Sequence, residues 1–318
     1  MAKAKEITGL DCAADALECA AEVLRVRFCE VIELRDAALD FSDIEGVHNM
    51  RVATRRLRSA LRDFQPLMKK RPLRRARKKL KEIADALGTV RDQDVAILAL
   101  ENLQSAAAID QITEQIRKGI EKLLLERRAA REKTQTNLIQ TLDADNLTNL
   151  QTDFTAALDK AVRKNKPSRR PVSFSEAGRE AVALSLKELC DLGVCVYEPF
   201  NVEKMHEMRI AAKRLRYAVE LFTTCWGEAI APFAVEIAQM QSFLGEVHDC
   251  DVWLENLSVR MRGRQNSAVG GSERKAAVWL LSEFIKNRTK NYRAALKLWS
   301  EWEATEFAER MRVIIAGR

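Results

Sequence analysis

The sequence predicts an all-α fold, a tandem of two homologous helical bundles related by a pseudo-twofold axis. Three observations carry that expectation. Apolar residues recur at three- and four-residue spacing almost throughout, which is the helix period. Glycine (12), proline (6) and aromatic residues (6%) are scarce among 318 residues, a balance that favours long helices over turn-rich sheets. Finally, two blocks repeat in order: HNMRVATRRLRSALRDF (48–64) aligns without gaps to HEMRIAAKRLRYAVELF (206–222), nine of seventeen positions being identical. LGTVRDQDV (87–95) aligns to LGEVHDCDV (244–252) with six of nine identical. The spacing between blocks agrees to one residue in the two copies, as a duplicated unit requires.

Taken in order, the periodicity predicts helices near 10–39, 44–66, 71–87, 91–105, 109–141 and 147–164. The second set falls near 175–192, 202–225, 228–244, 248–262, 272–300 and 302–315. Ser42 with Glu45 forms a capping-box pattern before the second helix, and Asn201 is the N-cap candidate of its counterpart. Gly88 and Gly245 are read as ends or kinks. The segment KNKPSRRPVS (164–173), with two prolines and four basic residues, is the linker candidate. The expected domains are therefore 1–165 and 166–318, and the length is ample for two cores.

Seven cysteines with no CxxC argue against a disulfide framework or a structural zinc site, and fit packing in a reducing cytoplasm. The first twenty residues lack a secretory apolar run, and no uncharged apolar stretch is long enough to span a bilayer. A cytoplasmic protein without membrane attachment is expected. The net charge of +7 suits an acidic partner, but its distribution says more than the total.

On a helical wheel His48, Arg51, Arg55, Arg58 and Arg62 share a narrow arc, with Met50, Ala53, Leu57, Leu61 and Phe64 opposite. In the second copy His206, Arg209, Lys213 and Arg216 take that arc with Tyr217 beside them, opposite Met208, Ala211, Leu215, Val219 and Phe222. An ordinary solvated helix mixes acids with bases, because like charges three or four residues apart each destabilise it by about 0.2–0.5 kcal/mol. An anion along the row would remove that penalty. The next stretch, KKRPLRRARKKLK (69–81), has no acid. Leu73, Ala76, Leu80 and Leu87 mark its core side, while Arg71, Arg74, Arg75, Lys78 and Lys81 spread over the other. From His48 to Lys81, Lys and Arg contribute +14 against the single Asp63. Such a face attracts polyanions by counterion release and charge-assisted hydrogen bonds, arginine's planar fork matching pairs of phosphate oxygens. The plain alternative is a solvated basic surface.

These blocks resemble the CHAD family, named for its histidine-containing α-helical domain, through HxxRVxxRRLRxxLxxF at 48–64, LGxVRDxDV at 87–95 and their second copies. The resemblance spans nearly the whole chain and implies a tandem of two helical bundles. It also implies binding of inorganic polyphosphate on a basic surface and association with polyphosphate granules. Carried onto matching positions, the implied binding residues are His48, Arg51, Arg55, Arg56 and Arg58, then His206, Arg209, Lys213, Arg214 and Arg216. The ExExK motif of the CYTH domain that often precedes a CHAD domain is absent, so a stand-alone CHAD protein is expected. Two departures weaken the second copy. Glu220 replaces the equivalent of Arg62, and 226–243 has no basic residue, so the first copy is expected to dominate binding.

Enzymatic readings find little support. His248, Asp249 and Asp251 suggest a metal site or a phosphohydrolase doublet, but the first copy reads Arg91-Asp92 there, and one helical segment does not supply a ligand set. Asp92, Asp94, Asp249 and Asp251 are better read as helix caps or as partners of arginines. No P-loop, GxSxG or Rossmann fingerprint occurs. Trp253, Trp279, Trp299 and Trp302 sit at apolar helical positions, which favours core packing over base stacking. The expectation is therefore a non-enzymatic polyphosphate binder with no catalytic residue, metal or cofactor. Binding to the phosphate backbone of RNA or DNA is the alternative, and a metal-dependent phosphohydrolase the third reading.

Overall fold

A computed structural model describes residues 5, 7, 9–106, 112–163, 171–263 and 271–317. The described chain is helical, and its one β-bridge, Asp15 with Ser173, is isolated. The helices are α1 (Ala16–Glu33), α2 (Arg35–Leu39), α3 (Ile44–Asp63), α4 (Arg74–Ala106), α5 (Glu114–Thr141) and α6 (Ala144–Arg163). They continue with α7 (Phe174–Asp191), α8 (Val202–Phe222), α9 (Ala231–Gly263), α10 (Gly271–Ala304) and α11 (Phe307–Ile315). The helices that carry the sequence repeat, α3 with α4 and α8 with α9, recur in the same order, and α4 and α9 are each 33 residues long.

Most expected helices form, with three differences. The first is interrupted at Leu34, and α1 begins only at Ala16, where the Asp15 carboxylate accepts from the amides of Leu17 and Glu18. The N-cap of α3 is Asp43, not Ser42. Its carboxylate accepts from Glu45 N at 2.8 Å, while Ser42 donates its hydroxyl to Asp40. Asn201 does cap α8, accepting from Lys204 N at 3.2 Å. Third, the breaks expected at Gly88 and Gly245 do not occur, and α4 and α9 run straight through them. An interior glycine costs a helix about 1 kcal/mol relative to alanine. The neighbours Leu87 and Val90, and Leu244 and Val247, are buried, and full burial of one such side chain contributes about 1.5–3 kcal/mol. Packing on both sides outweighs the local cost.

The chain forms two compact units that interleave in sequence. The first comprises Met1–Ala96, Arg127–Ala181 and Leu221–Cys225, and the second Ile97–Glu126, Val182–Glu220 and Trp226–Arg318. Division by sequence repeat and division by compactness are thus different cuts, because α4, α5, α7 and α8 each supply residues to both units. Residues 164–170 of the expected linker lie outside the described residues.

In the first unit the expected core side of α3 is buried: Met50, Ala53, Leu57, Leu61 and Phe64. Phe28 of α1 stacks on Phe154 of α6 at 4.3 Å, and Phe222 packs against Phe64 and Phe174 at 5.6 and 4.9 Å. Gly178 on α7 is required there, since a Cβ would stand 2.7 Å from the Phe222 ring. In the second unit Trp253 stacks on Phe284 at 5.0 Å and Trp302 on Phe307 at 4.1 Å. Trp299 is buried too, so three of the four tryptophans singled out by sequence are core residues, and Trp279 is half-buried. No described helix is long and apolar enough to cross a membrane.

Candidate anion-binding site

The first unit gathers a cationic cluster where α3 lies beside α4. Arg77 of α4 holds the seam. It donates at 2.6 Å to the Leu61 carbonyl, one of the acceptors left open at the end of α3, and at 2.9 Å to Gln65 Oε1. Nearer the start of α3, Arg51 Nη2 stands 4.0 Å from Asp92 Oδ1 of α4. His48 lies in the same neighbourhood. Its pKa is lowered by burial first and then by the charge of Arg91, with Arg55 and Arg51 adding to the effect and Glu45 opposing it. Arg55 Nε and Arg91 Nη1 are both shut from solvent, and neither has a hydrogen-bond acceptor among the described residues. A buried donor left without an acceptor costs about 1–3 kcal/mol, more when charged. Four basic side chains, His48, Arg51, Arg55 and Arg91, thus converge, two of them with a shielded donor that lacks an acceptor.

The other first-copy candidates divide. Arg58 is exposed on the same arc of α3, with no carboxylate partner among the described residues. Arg62 pairs with its neighbour Asp63 at 2.8 Å, so the one acid of the row is spent on its last arginine. Arg56 does not join the cluster. It turns toward α1, is 10% exposed and lies 3.8 Å from Glu30, which also receives Arg27 at 2.9 Å. Arg74 and Lys78 are exposed on α4, about 100° and 140° around the helix from Arg91. Arg75 is on the far side, 3.6 Å from Asp153 of α6, lining a cleft with Asn137, Asn146 and Asn149. Those three share the basic surface of α4 but not the cluster.

The second unit repeats the arrangement with altered chemistry. His206 of α8 and His248 of α9 face each other, Nδ1 to Nδ1 at 3.1 Å, so one donates and the other accepts. His248 occupies the place of Arg91. Burial, then Arg209, His206 and Lys213, push its pKa down to about 4. His206 is lowered by burial and then by Arg209 and Lys213. Arg209 Nη2 lies 3.9 Å from Asp249 Oδ1, matching Arg51 and Asp92. Arg216 is withdrawn: it is buried, and its Nε donates to Glu220 at 2.7 Å and its Nη1 to Gln241 at 3.4 Å. Arg214 pairs with Glu188 of α7 at 3.1 Å, repeating Arg56 with Glu30, and Tyr217 is half-buried beside Arg216. The second copy therefore brings together His206, Arg209, Lys213 and His248.

The aspartates of the second block have paired structural roles. Asp94, buried, accepts from Arg131 Nε at 2.5 Å, while Arg131 Nη2 donates to the Phe41 carbonyl at 3.3 Å. Asp251 and Arg288 do the same at 2.6 Å, with Arg288 Nη2 on the Pro199 carbonyl at 2.7 Å. The helix-start alternative fails, because all four aspartates sit inside α4 or α9. Of the metal candidates, His248 faces His206, Asp249 faces Arg209 and Asp251 faces Arg288, three different directions. Among the described residues no cluster of three or more His, Cys, Asp or Glu would hold a metal ion.

The family profile described as CHAD domain matches residues 22–258, which include both helix pairs. This chain belongs to the CHAD-domain family. Among solved structures, the CHAD domain from the plant Ricinus communis superposes with a TM-score of 0.71 at 21% identity, covering 94% of this chain and 95% of that one. PptA from Streptomyces chartreusis superposes with a TM-score of 0.68 at 14% identity, covering 90% of this chain and all of that one. At these identities the likeness is one of fold. No curated protein matches. In this CHAD chain, sequence reasoning missed Arg91 and, as a member of the basic cluster, His248. The signal was present: both stand at one position of the second repeat block, and both are basic.

Proposed function

We propose that this CHAD protein holds inorganic polyphosphate without catalysis. The main site is the seam of α3 and α4, with a weaker second site where α8 meets α9. The observation that carries the reading is the convergence of four basic side chains, His48, Arg51, Arg55 and Arg91, at one seam. Charged groups so arranged are offset by an anion with several oxygens in a row, and the exposed Arg58, Arg74 and Lys78 extend the field for a long one. Such binding would hold the protein on polyphosphate granules where they form.

Titration with long-chain polyphosphate at two ionic strengths tests the proposal. Affinity should fall steeply with salt, and R51A/R55A/R58A should bind far more weakly while staying folded. Unchanged affinity in that variant refutes the site. RNA competing equally with polyphosphate at one salt concentration would favour nucleic-acid binding. Phosphate release with added Mg²⁺ or Mn²⁺ would favour a phosphohydrolase.

A further inference from the structure

Gly88 and Gly245 hold matching places in the two copies, each inside a 33-residue helix and each half-exposed. Neither has a positive φ, so backbone conformation does not demand glycine. Sterics do not demand it either. A Cβ at Gly88 would meet, within 4 Å, only Arg51 Nε at 3.9 Å, and one at Gly245 only Arg209 Nε, also at 3.9 Å. Both are ordinary contacts. The interior glycines Gly46, Gly119 and Gly178 differ, because a Cβ there would stand 1.8, 2.5 and 2.7 Å from fixed neighbours. At 88 and 245 the ligand-free fold has room for the methyl group that would strengthen the helix, yet both copies lack it.

We infer that the bare helix surface at Gly88 and at Gly245 is the floor on which a phosphoryl group of the bound chain rests. This rests on the polyphosphate reading and adds contact positions to it. An oxyanion accepting from Arg51 must lie about 2.9 Å from the guanidinium nitrogen. A methyl 3.9 Å from Nε excludes an oxygen from the side of Nε that faces the helix, since a carbon and an oxygen need about 3.3 Å between them. Glycine lets the anion lie flat against α4 while Arg51, Arg55 and Arg91 close over it, and α9 repeats the device with Arg209, His206 and His248.

The test compares G88A, G245A and the double variant with G271A, a helical glycine with nothing within 4 Å of its added Cβ. Thermal melting and calorimetric titration with long-chain inorganic polyphosphate are measured at one salt concentration. The double variant should melt at or above the wild type and bind roughly tenfold more weakly or worse, as for the loss of a charge-assisted hydrogen bond. G271A should bind like the wild type. A double variant that binds like the wild type, or that melts below it, overturns the inference. A wild type without measurable affinity overturns the polyphosphate reading, and the inference with it.

Discussion

Arg55 and Arg56 are neighbours in the sequence and opposites in the structure, which makes them a sharp internal control. Arg55 reaches the cluster around His48, whereas Arg56 turns to Glu30 of α1 at 3.8 Å. Arg55→Ala should remove one phosphate contact. The slope of log affinity against log salt should then shrink by about 0.7, the value for a single-stranded polyanion. Affinity at fixed salt should fall about tenfold or more, since a hydrogen bond to a charged group contributes about 1.5–3 kcal/mol. The fold should lose little stability, because the shielded Nε that lacks an acceptor is removed with the side chain. Arg56→Ala should do the reverse. Its buried partner Glu30 keeps Arg27 at 2.9 Å, so the loss is partial, on the order of 1–3 kcal/mol of stability, with affinity and salt slope nearly unchanged. Salt-dependent polyphosphate titrations and urea unfolding of both variants measure this. If Arg55→Ala leaves the slope unchanged while Arg56→Ala lowers it, the assignment of the two side chains is refuted.

Three further outcomes follow from the same geometry. Polyphosphate affinity should rise as pH falls from about 7 toward 5, since a bound anion favours the charged imidazoles that Arg209 and Lys213 now oppose at His206 and His248. Calorimetry in buffers of different ionisation enthalpy should report proton uptake, and H248Q should reduce it. In the ligand-free protein the folded pKa of His248 lies below its ordinary 6.5, at about 4, so its contribution to stability is present above pH 6.5 and is lost as pH falls through 4. Denaturant midpoints between pH 7 and 4 check this, and H248Q should flatten that fall. Arg131→Ala strands the buried Asp94 and should cost about 3–5 kcal/mol, whereas Arg75→Ala, whose pair with Asp153 is exposed, should cost under about 1 kcal/mol.

Much of this protein was legible along one dimension. The helix period, the scarcity of glycine and proline and the two repeated blocks determined an all-α chain with an internal duplication. They also determined which faces of α3 and α8 enter the core, because a helix wheel depends only on the order of residues. The basic arc from His48 to Arg62 was visible for the same reason. Propensity misled at Gly88 and Gly245, where burial of Leu87, Val90, Leu244 and Val247 keeps the helices whole. What the sequence did not contain was the identity of each arginine's partner. Arg56, Arg214 and Arg216 carry the same charge as Arg55, yet Glu30, Glu188 and Glu220 engage them. Arg91 and His248 enter the clusters only because α4 and α9 run beside α3 and α8. Charge is a property of a residue, but whether that charge meets a carboxylate or stands open to an anion depends on which surfaces come together, and that was decided by tertiary packing.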